Sequence, residues 1–560
     1  MLVPIRNFGG AGVTSPNDAP PEDAPLNGFT SSGSVTFRGR ATTKRAGFVP
    51  VVLLWPDTMQ WFQAWDDGSG LQSVAFCADD TIYTTTDAIH INTVTITAPA
   101  LTTAAGWQSD VFGKFCVLNN RAQTPKYSSA YNSGTDTWTF ADLPGYRGVS
   151  AGVSPYTPCT SVREFSNHLV ALGVTGNPFT VYISDQGSPE AIPTSWDFSD
   201  PTKLARRFPL NSRDGPIIDG GRLGDRFIVY QRRAAVALEY VGGSFVMAAR
   251  RLPIAIGLAN PDAWGEFEGK HIVVTEDSIV IHDGSSVLNP DMNRVRTQFF
   301  SELSDRALVK VAIDITHQEA VIYYPTTGAI GGSCNRSLTY SWAANTWSFG
   351  NLGCAINRIA RAELPATDTV WDAIDTPWDA LPGAWLDFDA KPNVSKMYQL
   401  RPWTLDEYGT GYYWYRGPPT YLLDNTNAII FDDNDLPLLV DIATDVYAYP
   451  TYAQRDYADL DEVTGDTSHN KIIGSVFLQV RGAGVFDVQF GVSATSRGVV
   501  QWADPVGIDL GSDTTTAKVD FNLCGRYVHW KLGAWNRAQN DGWFELVGAD
   551  IEVSLEGVRG

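Results

Sequence analysis

The groups in this chain that could do acid–base, nucleophilic or metal chemistry are seven histidines, six cysteines and 62 Asp and Glu residues. A zinc centre needs thiols or imidazoles paired at short spacing, and Cys77, Cys116, Cys159, Cys334, Cys354 and Cys524 form no CxxC pair. Most stand beside strand-like residues, as in Phe76-Cys77 and Phe115-Cys116-Val117, where a thiol acts as a small buried hydrophobe. His90, His168, His271, His282, His317, His469 and His529 are spread singly along strands and turns, which suits structural roles. The chain has no G-x-S-x-G elbow, Walker loop or HExxH pair. Asp432-Asp-Asn-Asp435 lacks the third ligand, turn glycine and distal glutamate of a calcium loop and reads as a surface turn. Carboxylates are plentiful in turns, so a pair at glycosidase spacing stays open. The residues as a whole read as a non-enzyme: no catalytic, cofactor-binding or metal-ligating residue is assigned, and no cofactor is expected.

Binding chemistry is better represented. Arg38, Arg40, Lys44 and Arg45 form the main basic cluster, a contact for an acidic partner or phosphate if it is not a solvated hairpin. The net charge is nevertheless −21. Gripping nucleic acid depends on Lys and Arg displacing counterions, so such a chain suits it poorly. It could still form a wall along which DNA slides without adhering. Trp371, Trp378 and Trp385 recur every seven residues, but Pro377 and Pro382 rule out a continuous helix. They read as pins holding a linker, with a carbohydrate-stacking platform as the other use. Ser184-Asp-Gln-Gly187 is similar to a sialidase Asp-box, without the following Thr-Trp and in one copy only.

The elements that must position these groups are strands. Aromatics make up 12% and charged residues only 18%, a balance that favours an all-β protein with a neutral polar surface. Tyr131-Asn-Ser-Gly-Thr-Asp-Thr-Trp-Thr-Phe140 and Tyr340-Ser-Trp-Ala-Ala-Asn-Thr-Trp-Ser-Phe349 share Tyr, Thr, Trp and Phe at identical offsets around a polar turn. This reads as a repeated hairpin whose tryptophan packs inward. His271 to Gly284 reads as strand, turn at Glu276-Asp277, strand. Serial short strands over about 310 residues fit six or seven four-stranded blades of a β-propeller, with paired β-sandwiches as the alternative.

The expected division is an extended N-terminal arm over 1–32, a β-propeller over 33–364 and a Trp-rich linker over 365–390. A Tyr- and Asp-rich inserted or tip domain follows over 391–470, then a C-terminal β-sandwich-like domain over 471–560. The start, Met1-Leu-Val-Pro-Ile-Arg6, lacks the basic and apolar regions of a signal peptide. No apolar run is long enough for a membrane span. A soluble protein made in the cytoplasm is expected.

Five stretches in order resemble the tail nozzle proteins of short-tailed bacteriophages, the tubular, hub and DNA-stabilisation proteins below the portal. Gly33-Ser-Val-Thr-Phe-Arg-Gly-Arg40 is similar to the family's opening motif, with Ser34 in place of Asn and Gly39 directly after Arg38. Tyr182 to Pro189 with Trp196, Gly269 to Gly284, and Cys334 to Tyr340 with Trp347 resemble three blade motifs. Gly525-Arg-Tyr527, Trp543 to Gly548 and Gly557-Val-Arg559 are similar to its ending. The resemblance implies a virion structural protein of the phage tail that forms a homo-oligomeric ring, usually a hexamer. That ring would sit beneath the portal and its head–tail adaptor, with tail fibres or spikes attached nearby. Double-stranded DNA would pass through its channel without sequence-specific binding, and the ring would retain the packaged genome and open for ejection. An acidic lumen narrowed by loops is expected. The rival reading is a propeller that binds or degrades host-surface glycans, and a third is a bacterial scaffold propeller.

Overall fold

The computed structural model describes residues 1–362, 396–400, 411–414 and 451–556, apart from 22–23, 39–40, 45–47, 53–58, 87–91, 98–99, 147–157, 243–245, 255, 316, 330–332, 357, 466–468, 511–514 and 536–542. Arg40, Arg45, His90, the three tryptophans of the linker and the Asp432–Asp435 turn lie outside the described residues.

The chain is all-β, and seven small antiparallel sheets follow one another as propeller blades. Blade I comprises Trp61–Asp66, Gln72–Cys77, Ile82–Thr85 and Asn92–Thr93, and blade II Gln108–Phe112, Phe115–Asn119, Lys126–Asn132 and Thr137–Asp142. Thr95–Ile96 adds to blade II as a parallel fifth strand. Blade III runs from Ser161–Phe165 to Arg206–Pro209, blade IV from Ile217–Leu223 to Val246–Arg251, and blade V from Trp264–Phe267 to Val287–Leu288. Blade VI holds Lys310–Asp314, Glu319–Tyr324, Cys334–Ser341 and Thr346–Ile356. Blade VII is composite: Arg358–Ala362, Lys396–Leu400 and Gly411–Trp414 take their outermost strand from Phe48–Val52, far earlier in the chain. Borrowing that strand ties the two ends of the ring by backbone hydrogen bonds. The innermost strand of blade VII packs against that of blade I, closing the circle.

The repeated decapeptide occupies the same place in two blades. In both, Tyr and Trp are cross-strand partners, Tyr131 with Trp138 in blade II and Tyr340 with Trp347 in blade VI. Both turns end on a residue with positive φ, Asp136 at 49° and Asn345 at 52°. Asp and Asn tolerate that conformation because their short polar side chains bond locally. Here each side chain accepts the tyrosine hydroxyl, Tyr131 Oη to Asp136 at 2.6 Å and Tyr340 Oη to Asn345 at 3.1 Å. Each indole N–H then reaches the preceding blade region, Trp138 Nε1 donating to Ser73 Oγ at 3.1 Å and Trp347 Nε1 to Pro290 O at 2.9 Å. The motif is an inter-blade staple.

The second body is a sandwich of two sheets that share one 23-residue strand, Lys471–Ser493. As far as Ala483 it pairs with Trp543–Leu555 and Thr515–Gly525; from Gly484 on it pairs with Val506–Leu510 and Tyr527–Ala534. The switch falls at Gly484, whose φ of +85° suits glycine and lets one strand bend from sheet to sheet. Val476, Leu478, Val480, Phe486, Val488, Phe490, Trp530, Leu532 and Phe544 fill the interior.

The extended N-terminal arm opens on an edge strand that lies on the sandwich, Leu2–Arg6 pairing with Trp543–Leu555 with Val3 and Ile5 buried, and two expected domain boundaries are corrected. Pro4 is tolerated because this is an edge strand. The hairpin Val35–Arg38 and Ala41–Lys44 joins that same sandwich sheet, so the propeller does not begin at 33. Nor does blade pairing stop at 364, because Lys396–Leu400 and Gly411–Trp414 complete blade VII. Long-range strand exchange at both ends defeats boundaries drawn from composition.

The arm also joins the two bodies. Val13 N–H donates to Trp347 O at 2.9 Å, Ser32 Oγ donates to Phe349 O at 3.2 Å and accepts from Phe349 N–H at 2.9 Å on the outer strand of blade VI, and Ser34 N–H just after the arm donates to the same carbonyl at 3.2 Å. Trp530, Phe8, Phe29 and Phe37 pack in series, edge-on, tilted and stacked in turn, with Phe8–Phe29 and Phe29–Phe37 centroids 5.5 Å apart. Buried Arg455 of the sandwich donates to Pro21 O at 2.7 Å and Ala24 O at 2.6 Å. One hydrophobic cluster therefore runs from blades IV–VI through the arm into the sandwich.

Candidate functional site at the propeller axis

The innermost strands converge on the axis, and they carry charged residues there. Asp110 lies on the innermost strand of blade II, Arg163 on III, Asp219 on IV, Lys310 on VI and Arg358 on VII. Asp262 lies two residues before the innermost strand of blade V, and Arg121 follows the second strand of blade II. Asp219 is the hub. It accepts four hydrogen bonds: Ser161 Oγ at 2.6 Å, Arg163 Nε at 3.1 Å, Arg163 Nη2 at 2.6 Å and Trp264 Nε1 at 3.0 Å. Burial disfavours the Arg163 cation, but Asp219, Asp110 and Asp262 outweigh it and hold the guanidinium charged. Trp264 lies across blade IV where a side chain at position 221 would stand. A Cβ there would come 1.7 Å from the indole, so only glycine fits.

A second layer links blades I, II and III. Trp61 Nε1 donates to Ser109 Oγ at 2.7 Å, which donates to Gln63 Oε1 at 2.6 Å. Gln108 exchanges hydrogen bonds with the Val162 backbone at 2.8 and 3.1 Å, and Arg163 Nη1 donates to Ser109 O at 3.2 Å. Asp110 accepts from the Glu164 and Val111 N–H groups at 2.8 and 2.9 Å; burial raises its pKa, opposed by Arg163. Glycoside hydrolysis needs one carboxyl free to give a proton and another free to attack or activate water. The axial carboxylates are instead engaged in joining blades.

The sequence-level candidates are dispersed. Arg38 Nε meets the buried Glu319 of blade VI at 2.9 Å, which spends that cation inside the protein. Asp185, in the Asp-box-like turn, accepts the Leu204 N–H at 2.9 Å and pairs with Lys203 at 3.3 Å, a structural turn. Cys77, Cys116, Cys159 and Cys334 are buried and Cys524 is exposed, all as free thiols. Among the described residues no group of three or more His, Cys, Asp or Glu could hold a metal ion. Nor does any described helix have the length and apolarity to cross a membrane.

Two histidines read as solitary are in fact brought together. His271 and His282 are cross-strand partners in blade V and flank Tyr230 of blade IV, each 2.6 Å from its hydroxyl. Gly284 N–H donates to His282 Nδ1 at 3.1 Å, so the neutral ring carries its proton on Nε2 and donates to Tyr230. His271 Nε2 faces Arg222 O at 2.6 Å and must donate there, leaving Nδ1 to accept the tyrosine proton. The protons all point one way, from His282 through Tyr230 and His271 to Arg222 O. A further proton on either ring meets a donor. The signal was in the hairpin: each histidine stands five residues from the Glu276-Asp277 turn.

Burial lowers the pKa of His271 to about 3 and of His282 to about 4. Both lie below the unfolded value of about 6.5. Between those limits the unfolded chain binds more protons than the native one, so stability is full above pH 6.5 and falls on acidification towards pH 4. From pH 7 to 5 the loss should be on the order of 2–4 kcal/mol for the two together. Urea midpoints measured across that range should drop, and a His271→Gln/His282→Gln protein should show a flatter profile.

No family model and no curated protein matches this chain. Solved structures similar to it include the extracellular domain of a two-component system from B. thetaiotaomicron, with 9% identity and a TM-score of 0.40. The match covers 90% of this chain and 63% of that one, so the chain spans less than two thirds of that domain's length. BBS1N, solved in complex with ARL6DN, matches at 10% identity and a TM-score of 0.36 over 66% of this chain and 98% of that one. An exo-beta-1,3-galactanase from Phanerochaete chrysosporium matches at 9% identity and a TM-score of 0.21 over 89% of this chain and all of that one. Likenesses this distant leave function to the chain's own residues.

Proposed function

We propose that this chain is a structural subunit of the tail nozzle of a short-tailed bacteriophage, and not an enzyme. The observation that carries the reading is the axis. Its carboxylates are engaged in inter-blade hydrogen bonds and ion pairs, so the propeller is organised to hold its shape. The arm supports it too, since aromatic packing and the Arg455 clamp fasten propeller to sandwich as a subunit bearing mechanical load would need. The motifs similar to the nozzle family supply the assembly: Cys334–Tyr340 with Trp347 is the outer half of blade VI, and Gly269–Gly284 is the central hairpin of blade V. On this reading six copies form a ring against the head–tail adaptor in the virion. Each brings a net charge of −21, and the part of it that lines the lumen would repel the duplex the ring conducts.

Co-sedimentation with head–tail adaptor rings tests the proposal. Stacked complexes are expected; a chain that stays free at all concentrations would overturn it. The rival glycan reading predicts release of reducing sugars from host envelope, and the present reading predicts none.

A further inference from the structure

Among the described residues, one end of the propeller axis is short of negative charge. Lys310 and Arg358 are the first residues of the innermost strands of blades VI and VII. Asp262 precedes that of blade V, and Arg121 follows a strand antiparallel to the innermost strand of blade II, so all four stand at the same end. Their charges act on one another: Lys310 is disfavoured as a cation by burial and by Arg358 and Arg121, while Asp262 favours it. Arg358 lies 3.5 Å over the Trp61 ring, 3.7 Å from Asp262, and its buried Nε has no hydrogen-bond partner. Arg121 Nε donates to Thr160 O at 3.0 Å, but its buried Nη2 has no partner. Among the described residues no ion pair or hydrogen bond holds the Lys310 ammonium, although its backbone pairs with Tyr323 in blade VI. Three cations among the described residues thus face one carboxylate at this end, with two guanidinium nitrogens unspent.

We propose that this mouth of the axis binds a small oxyanion of the phosphate class, held by Arg121, Lys310 and Arg358 from three different blades. Two planar guanidinium forks and one ammonium point charge suit a tetrahedral oxyanion, whose oxygens accept the unspent N–H groups in charge-assisted hydrogen bonds. The indole of Trp61 keeps the Arg358 plane in place and leaves its Nε N–H unspent. This site is independent of the ring and needs only the folded subunit.

The test is thermal unfolding of the full chain with inorganic phosphate or glycerol phosphate, against chloride at matched ionic strength. A saturable rise of a few degrees in the midpoint is expected with phosphate. An equal rise with glycerol phosphate identifies a phosphomonoester as a ligand; a rise with phosphate alone identifies the free ion. Lys310→Met should abolish the rise and, without anion, unfold no earlier than the parent, because an unpaired ammonium has been removed. Three results would overturn the site: no saturable rise with either anion, an undiminished rise in Lys310→Met, or early unfolding of that variant without anion. None of these bears on ring assembly, so the two proposals fail separately.

Discussion

Replacing Asp219 with alanine should cost about 3–5 kcal/mol, because it strands a paired guanidinium in the core of the propeller. Asp219 of blade IV is fully buried and answers Ser161, Arg163 Nε and Nη2, and the Trp264 indole, from the two flanking blades at once. Its loss leaves a charge and two neutral donors unsatisfied in one step. Asp219→Asn retains acceptor capacity without the charge and should fall between alanine and the parent. The informative control is Asp219→Ala/Arg163→Met, which removes both charges and should recover much of the loss. Chemical denaturation followed by tryptophan fluorescence reads all three. A loss below about 1 kcal/mol in the single alanine variant would mean that the hub does not hold the blades.

Replacing Trp347 with alanine should cost a similar amount, about 3–5 kcal/mol, by a different route. Trp347 is fully buried, packs on Tyr340 at 4.7 Å and donates to Pro290 O, and its own carbonyl accepts the Val13 N–H of the arm. Removing the indole opens a cavity where blade VI, the segment after blade V and the arm meet. Limited proteolysis should then cut residues 1–32 faster, with the sandwich still folded. Trp347→Phe keeps a ring but loses the hydrogen bond, which should cost about 1 kcal/mol in that bond's share. Unchanged protection of the arm in Trp347→Ala would show that the arm does not depend on this staple.

The hairpins were legible in the sequence because they are local. The two decapeptides declared a repeat, and the structure places them as corresponding strands with the same cross-strand register and the same tyrosine-to-turn hydrogen bond. The His271–His282 pairing was equally local, and a count outwards from the turn would have found it. Tyr230 was not legible, because it joins them only when blade IV packs on blade V. The axial cluster was hidden for the same reason at larger scale. Arg163, Asp219, Lys310 and Arg358 are separated by about a blade or more in sequence and share no motif; ring closure alone makes them neighbours. Domain boundaries failed where pairing is most distant, at Phe48–Val52 completing blade VII and Leu2–Arg6 joining the sandwich. Composition along the chain carries no trace of which strand will borrow which edge.

On the proposed function, this internally tied subunit builds a ring. The most direct test is the mass of the purified 61.1 kDa chain by light scattering, alone and with adaptor rings, with negative-stain images of the same samples. Closed rings of about six copies around an open channel are expected, formed alone or on the adaptor. A strict monomer under both conditions would contradict it.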